Sequence, residues 1–336
     1  MTVGSTAADP TLDRTESWFL ANGLSYFVPE ERAAARRDLR SRRTVVVLTL
    51  VVIVTGAVGV LLARLVDQTS AAPAVVLSVG LAIGGTYALY VLRARGIVWW
   101  ALARSLRSLR TVLPMMTRAL PLLLVFVTFL FINAEVWQLS ASLDPGTLWL
   151  VVLLFAGLAV AFLLVRLPEE VDTIDDEVDA DFLRRTTRRT PLEEQGRALA
   201  SDADMDLAAY ATVTGFERWN LVLVLLVIQL VQLLLLAAGV FGFFLLFGSL
   251  TMEAETQRAW TGISGELGSV PGLSNISVPL VKVSFFLSAF SLLYLTVSTV
   301  TDETYREQFF GSVMRELERA VGVRTVYLAL RDRGQV

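Results

Sequence analysis

Polar side chains set inside long apolar runs are the residues of this sequence best placed to bind or move a ligand. Each is costly in hydrocarbon unless protein or water satisfies it. Three sets occur. Asn133, Glu135 and Gln138 close the third apolar run, where a carboxylate in the outer part of the hydrocarbon could hold a cation or accept a proton. Gln229 and Gln232 lie three apart on the fifth run, so a helix puts them on one face. Ser284, Ser288, Ser291 and Ser298 recur at helical spacing along the sixth and lead to Asp302. Such a line serves either as a weakly polar permeation path or as hydrogen-bonding glue between helices, worth about 0.6 kcal/mol per contact.

A second candidate is acidic. Asp172, Asp175, Asp176 and Asp179 share one face of a helix marked by Val171, Ile174, Val178 and Phe182. Several carboxylates together suit a hard divalent cation, but the turn glycine and offset ligands of a dedicated loop are missing. The alternative is an acidic face that pairs with arginines elsewhere. The chain has no Cys and no His, which removes disulfides, thiolate and imidazole metal ligation, and every Ser-His-Asp arrangement. No cofactor and no catalytic role are expected. A net charge of −3 does not point to nucleic acid.

The elements that carry these residues follow from hydropathy. Of 336 residues 54% are hydrophobic and 18% charged, with a mean hydropathy of +0.61, too apolar for a soluble core of this size. Six runs reach the length of about 20 helical residues that a bilayer core requires: 44–63, 74–92, 119–139, 147–165, 220–247 and 283–301. Arginines crowd the segments before the first run, between the second and third, between the fourth and fifth, and after the sixth, and are sparse in the links between. The alternation places both termini in the cytoplasm. The expected fold is all-α, with six transmembrane helices forming three hairpins in a bacterial plasma membrane.

The parts divide as a cytoplasmic helical segment 1–43, transmembrane helices 44–165, a charged loop 166–219, a last hairpin 220–301 with an outer link 248–279, and a cytoplasmic tail 302–336. Within the second part, 97–115 reads as an interfacial amphipathic helix whose Arg104, Arg107 and Arg110 reach lipid phosphates, or else as a connector packed on the bundle. Pro29, Glu30 and Glu31 start a helix that leads into the first span. Trp18, Phe19, Leu20, Leu24, Tyr26 and Phe27 should pack on the cytoplasmic face or graze the membrane. Residues 253–263 suit a short outer helix, and 323–330 fit either a strand or a continued helix. Gly80 with Gly84, and Gly56 with Gly59, suit close approach of the first two helices or of two copies of the chain.

The segment from Arg118 to Gln138, RALPLLLVFVTFLFINAEVWQ, resembles one found in multi-pass membrane proteins of high-GC actinobacteria that carry no assigned activity. Lys282 is the only lysine among 29 basic residues, a usage similar to that of such genomes. The resemblance implies a source and a compartment but no function. Permeation of an ion or small solute by a homo-oligomer is the expectation, with anionic lipid headgroups as partners. The alternative is a non-catalytic scaffold that binds a cytoplasmic protein through its charged segments.

Overall fold

Unbroken apolar runs can satisfy their backbone in hydrocarbon as helices, and the chain takes that route. The structure, a computed structural model, describes residues 10–39, 41–65, 71–107, 123–176, 178–202, 205–301 and 303–333. In chain order the helices are α1 (Pro10–Ala21), α2 (Pro29–Leu39), α3 (Arg42–Leu65), α4 (Ala71–Val91) and α5 (Arg95–Arg107). Next come α6 (Leu123–Phe131), α7 (Ala134–Ser142), α8 (Pro145–Asp176), α9 (Ala180–Thr186), α10 (Glu193–Leu199) and α11 (Ala208–Ala211). The last four are α12 (Gly215–Thr251), α13 (Ala254–Thr261), α14 (Val278–Thr301) and α15 (Glu303–Asp332). A small antiparallel hairpin, β1 (Ser269–Val270) and β2 (Leu273–Ser277), turns at Gly272 with φ +83°.

Four of these helices, α4, α8, α12 and α14, are long and apolar enough to cross a bilayer, and α6 with α7 makes a fifth if the bent pair is one span. Among the described residues these helices mark a membrane protein. α3 has 24 residues, of which Thr49–Val58 forms an apolar helical stretch among the described residues. α12 and α14 form the centre. About half of each apolar window is buried, against 6% for α4, which leans on α8 through a Trp149 Nε1–H bond to the Ser78 hydroxyl at 2.7 Å. Gly80 faces Thr55 of α3, whereas Gly56 and Gly84 face open space.

The third run is two helices, not one. α6 and α7 meet at 73°, because Asn133 is extended (φ −100°, ψ 119°) and its side chain caps α7 by accepting the Glu135 N–H at 2.8 Å. Trp137, fully buried, folds back to donate its indole N–H to the Phe131 carbonyl at 2.6 Å. Phe131 stacks on Phe244 at 4.7 Å, and Trp137 meets Trp260 of α13 edge-on at 6.1 Å. Lys282 Nζ donates to the Ala141 and Leu143 carbonyls at 3.0 and 2.6 Å, closing the C-terminus of α7. Asp144 then opens α8, accepting from the Gly146 and Thr147 N–H groups with Pro145 at the first helical position.

Other boundaries also differ from the hydropathy. α2 does not run into α3: Ser41 breaks the two. α8 continues eleven residues past the expected end at 165, with Pro168 inside it, so the acidic segment up to Asp176 is its extension and not a separate helix. The tail is helical throughout the described residues 303–332, including 323–330. Both ends of the chain pack against the start of α12, where Tyr327 on α15 donates to Glu16 on α1 at 2.8 Å.

Candidate functional site

Most of the polar side chains singled out within the apolar runs are buried on α12 and α14, which pack against each other. The two helices run antiparallel and touch where Gly248 lies under Leu280, with no room for a Cβ, and where Phe241 meets Phe285 edge-on at 6.1 Å. Counting equal steps from the Gly248–Leu280 contact sets Gln232 level with Thr296, and Gln229 a turn closer to the end that holds the termini. Ser291, Ser288 and Ser284 follow in the other direction, so the strip from Thr296 to Ser284 is about 18 Å long at 1.5 Å per residue. Gln229, Gln232, Ser284, Ser288, Ser291 and Thr296 are all buried, and Ser298 is half-buried.

Their hydrogen bonding is uneven. Ser288, Ser291 and Thr296 each donate to a carbonyl of their own helix, Phe285, Leu287 and Leu292, at 2.7 to 2.8 Å. The Ser288 and Ser291 hydroxyl oxygens keep acceptor capacity. Neither polar atom of the Gln229 amide has a partner within the protein, nor has the Gln232 carbonyl oxygen or the Ser284 hydroxyl. A buried polar group left unmatched costs about 1–3 kcal/mol, so this strip is held at a free-energy cost. Beside it, a cavity of about 320 Å³ between α8, α12 and α14 is lined by apolar side chains such as Ala156, Ala237, Phe241 and Ala289, with Ser288 its one polar residue.

The remaining sequence candidates lie elsewhere. Asn133, Glu135 and Gln138 are exposed on the bend and on α7, where Asn133 works as a helix cap; Glu135 does not sit inside the bundle. Arg104 forms an ion pair with Glu316 of α15 and keeps nearly half of its side chain exposed. Arg107 is exposed and its Nε–H donates to Ala103, and Arg110 lies outside the described residues. α5 buries Ile97, Ala101 and Ser105, while Trp99 is 69% exposed on its other face. Asp172 is paired with Arg218 at 2.5 Å, and Asp179 caps α9 through the Phe182 N–H at 2.6 Å. The side chains of Asp175 and Asp176 are outside the described set. No group of three or more Asp or Glu able to hold a metal occurs among the described residues.

Hydropathy and spacing missed a second polar centre at the foot of α12. Glu217, 5% exposed, accepts from Arg32 of α2 on one oxygen and from Arg324 of α15 on the other. The Arg324 bonds measure 2.8 Å from Nε and 2.7 Å from Nη2. Arg324 is also buried and donates to the Tyr210 carbonyl at 2.8 Å. One turn on, the fully buried Asn220 accepts the Tyr26 N–H at 3.0 Å and donates to the Gly23 carbonyl at 2.9 Å. Gly23 itself, at φ +71°, sits against the Trp100 ring where a Cβ would come within 2.9 Å.

The tyrosines around this centre titrate high. Burial pushes Tyr26 up to about 12. Tyr327 rises to about 12 through burial first and its bond to Glu16 second. Tyr210 is raised by its bond to Asp332, whereas the Arg189 backbone N–H holds Glu193 below the usual carboxylate range. The Tyr327–Glu16 and Tyr210–Asp332 ties join segments more than a hundred residues apart, which no local pattern signals. Compared with protein-family models, curated proteins and solved structures, the chain matches none.

Proposed function

We propose that this chain is a six-span plasma-membrane protein with cytoplasmic termini, and that it passes a small solute or ion along the α12–α14 strip. The observation that carries the reading is the Gln229 amide, 1% exposed and without a partner on either polar atom. A purely structural glutamine would spend both groups on neighbouring helices. Gln232, Thr296 and the three serines extend the same line through the thickness of the bundle.

The test is flux into proteoliposomes holding the full chain, with Gln229→Leu as the comparison. Leucine removes the unmatched polar atoms at similar volume, so folding should be preserved or improved. Flux that falls to background in the variant supports the reading. Flux unchanged by it, or no movement of any ion or small solute in the parent protein, refutes it. The Arg32–Glu217–Arg324 centre favours a second reading, a regulatory scaffold whose two terminal arms are docked on α12 for a cytoplasmic protein to engage. That reading predicts a copurifying partner that Glu217→Ala releases or captures more strongly, with no dependence on Gln229.

A further inference from the structure

We propose that the strip takes an uncharged, hydrogen-bonding solute of the water, urea or small-polyol class and rejects ions; this rests on the permeation reading above. The argument starts from which groups are free. At the glutamine level the protein offers a donor, Gln229 Nε2, and two acceptors, Gln229 Oε1 and Gln232 Oε1. A neutral molecule that both donates and accepts matches all three. An ion can use only one kind.

For a cation the oxygens are too few. Sites for hard cations bring about six to eight oxygens to the ion, and filters for monovalent ions use whole rings of carbonyls. Here the free oxygens at one level are the two amide carbonyls, and Thr296 has already spent its proton on Leu292. Ser291 lies more than a turn away along α14. For an anion the donors are sparse: at the glutamine level they are amide N–H groups, the unpartnered Ser284 hydroxyl lies about 18 Å from the Thr296 level along α14, and Ser288, Ser291 and Thr296 direct their protons to their own helices.

Charge compensation is also missing. Residues 219–251 of α12, 283–301 of α14 and 145–165 of α8 contain no Asp, Glu, Lys or Arg. An unpaired ion in such surroundings is opposed by a desolvation cost of several kcal/mol even after relaxation. A neutral solute exchanges its water hydrogen bonds for the unmatched amide groups, which relieves a penalty the protein already carries. Beyond the glutamines, Ser291, Ser288 and Ser284 repeat at three- and four-residue intervals, about 4.5 to 6 Å apart. That spacing is one hydrogen-bonded step for a molecule of this size. A cavity of about 320 Å³, walled largely by alanines and other apolar side chains, opens at Ser288 on the same pair of helices.

The experiment reconstitutes the full chain in liposomes and follows water, urea and glycerol by stopped-flow light scattering, with K⁺, Na⁺ and Cl⁻ followed in parallel by ion-sensitive dyes. The expected result is a several-fold acceleration of at least one neutral solute over protein-free liposomes, with ion leak unchanged. Gln229→Leu and Gln232→Leu should each return the rate to background at unaltered melting temperature. If either variant aggregates, Ser288→Ala tests the same path from the cavity side and should slow the neutral solute. Ion flux, alone or alongside neutral flux, overturns this inference and leaves the permeation reading standing. Absence of any flux overturns both.

Discussion

Replacing Glu217 by alanine should undock both terminal arms at once. The carboxylate is 5% exposed and balances Arg324, whose side chain is 7% exposed, together with Arg32 at 25%. Removing it leaves a buried guanidinium uncompensated, a change that typically costs about 3–5 kcal/mol. At about 1.4 kcal/mol per decade, the opening equilibrium of the docked segments should shift by about two to three and a half decades. Hydrogen exchange of the full chain in nanodiscs reads this directly, in the regime where exchange follows the opening equilibrium. Protection should fall by that factor in α1, α2 and α15, while α13 and the buried part of α14 keep theirs. Arg32→Ala should cost less, about 1 kcal/mol, because that side chain is partly solvated. Replacing Glu217 and Arg324 together by leucine should recover much of the loss, since no charge is then stranded. A drop smaller than about fivefold for Glu217→Ala, equivalent to about 1 kcal/mol, would refute the claim that this carboxylate holds the arms.

Asn220→Ala should loosen the 23–27 segment specifically. It strands the Tyr26 N–H and the Gly23 carbonyl, at about 1–3 kcal/mol each, and limited proteolysis between α1 and α2 should accelerate. Gly248→Ala places a Cβ against Leu280 and within 2.9 Å of the Phe131 ring. Overpacking of that kind costs about 1–3 kcal/mol, visible as a lower melting temperature in detergent, whereas Gly239→Ala, with open space around it, should not destabilise. For the phenols the sign is set by their raised values. Tyr26 and Tyr327 move from 10.0 to about 12 in the folded chain, so the stability they contribute is complete below pH 10 and drains as pH rises towards 12. Tyrosinate absorbance and arm protection should therefore change together across that window; loss of protection already complete below pH 10 would contradict the burial assigned to these rings.

The class of structure was readable because apolar runs of span length admit few folds. α8, α12, α13 and α14 fall close to where hydropathy and turn residues placed them, and Phe19, Tyr26 and Phe27 are buried as their composition implied. The break in the third run was hidden because Phe131 to Leu139 remains apolar on average, although Asn133 two residues before Glu135 is a helix-start signal in its own right. The extension of α8 past the apolar run was hidden for the opposite reason: hydropathy stops at Arg166, but Val171 and Ile174 continue the helical face and bury it. Of the candidate residues, those read from helical spacing within α12 and α14, Gln229, Gln232, Ser284, Ser288 and Ser291, are buried, because these two helices pack with much of their surface covered. Partners such as Glu217 with Arg324, or Asn220 with Gly23, depend on how distant segments dock, and a single sequence carries no record of that.

α12 has 37 residues, a rod of about 55 Å set against a hydrocarbon layer of about 30 Å. One length of this rod bears the amide pair; its foot grips the arms from both chain ends and is tied to α8 through Arg218 and Asp172. The bilayer and the docked arms therefore act on a single lever, and a lean of a few degrees that adapts it to a thinner membrane swings its foot by several ångströms relative to its far tip.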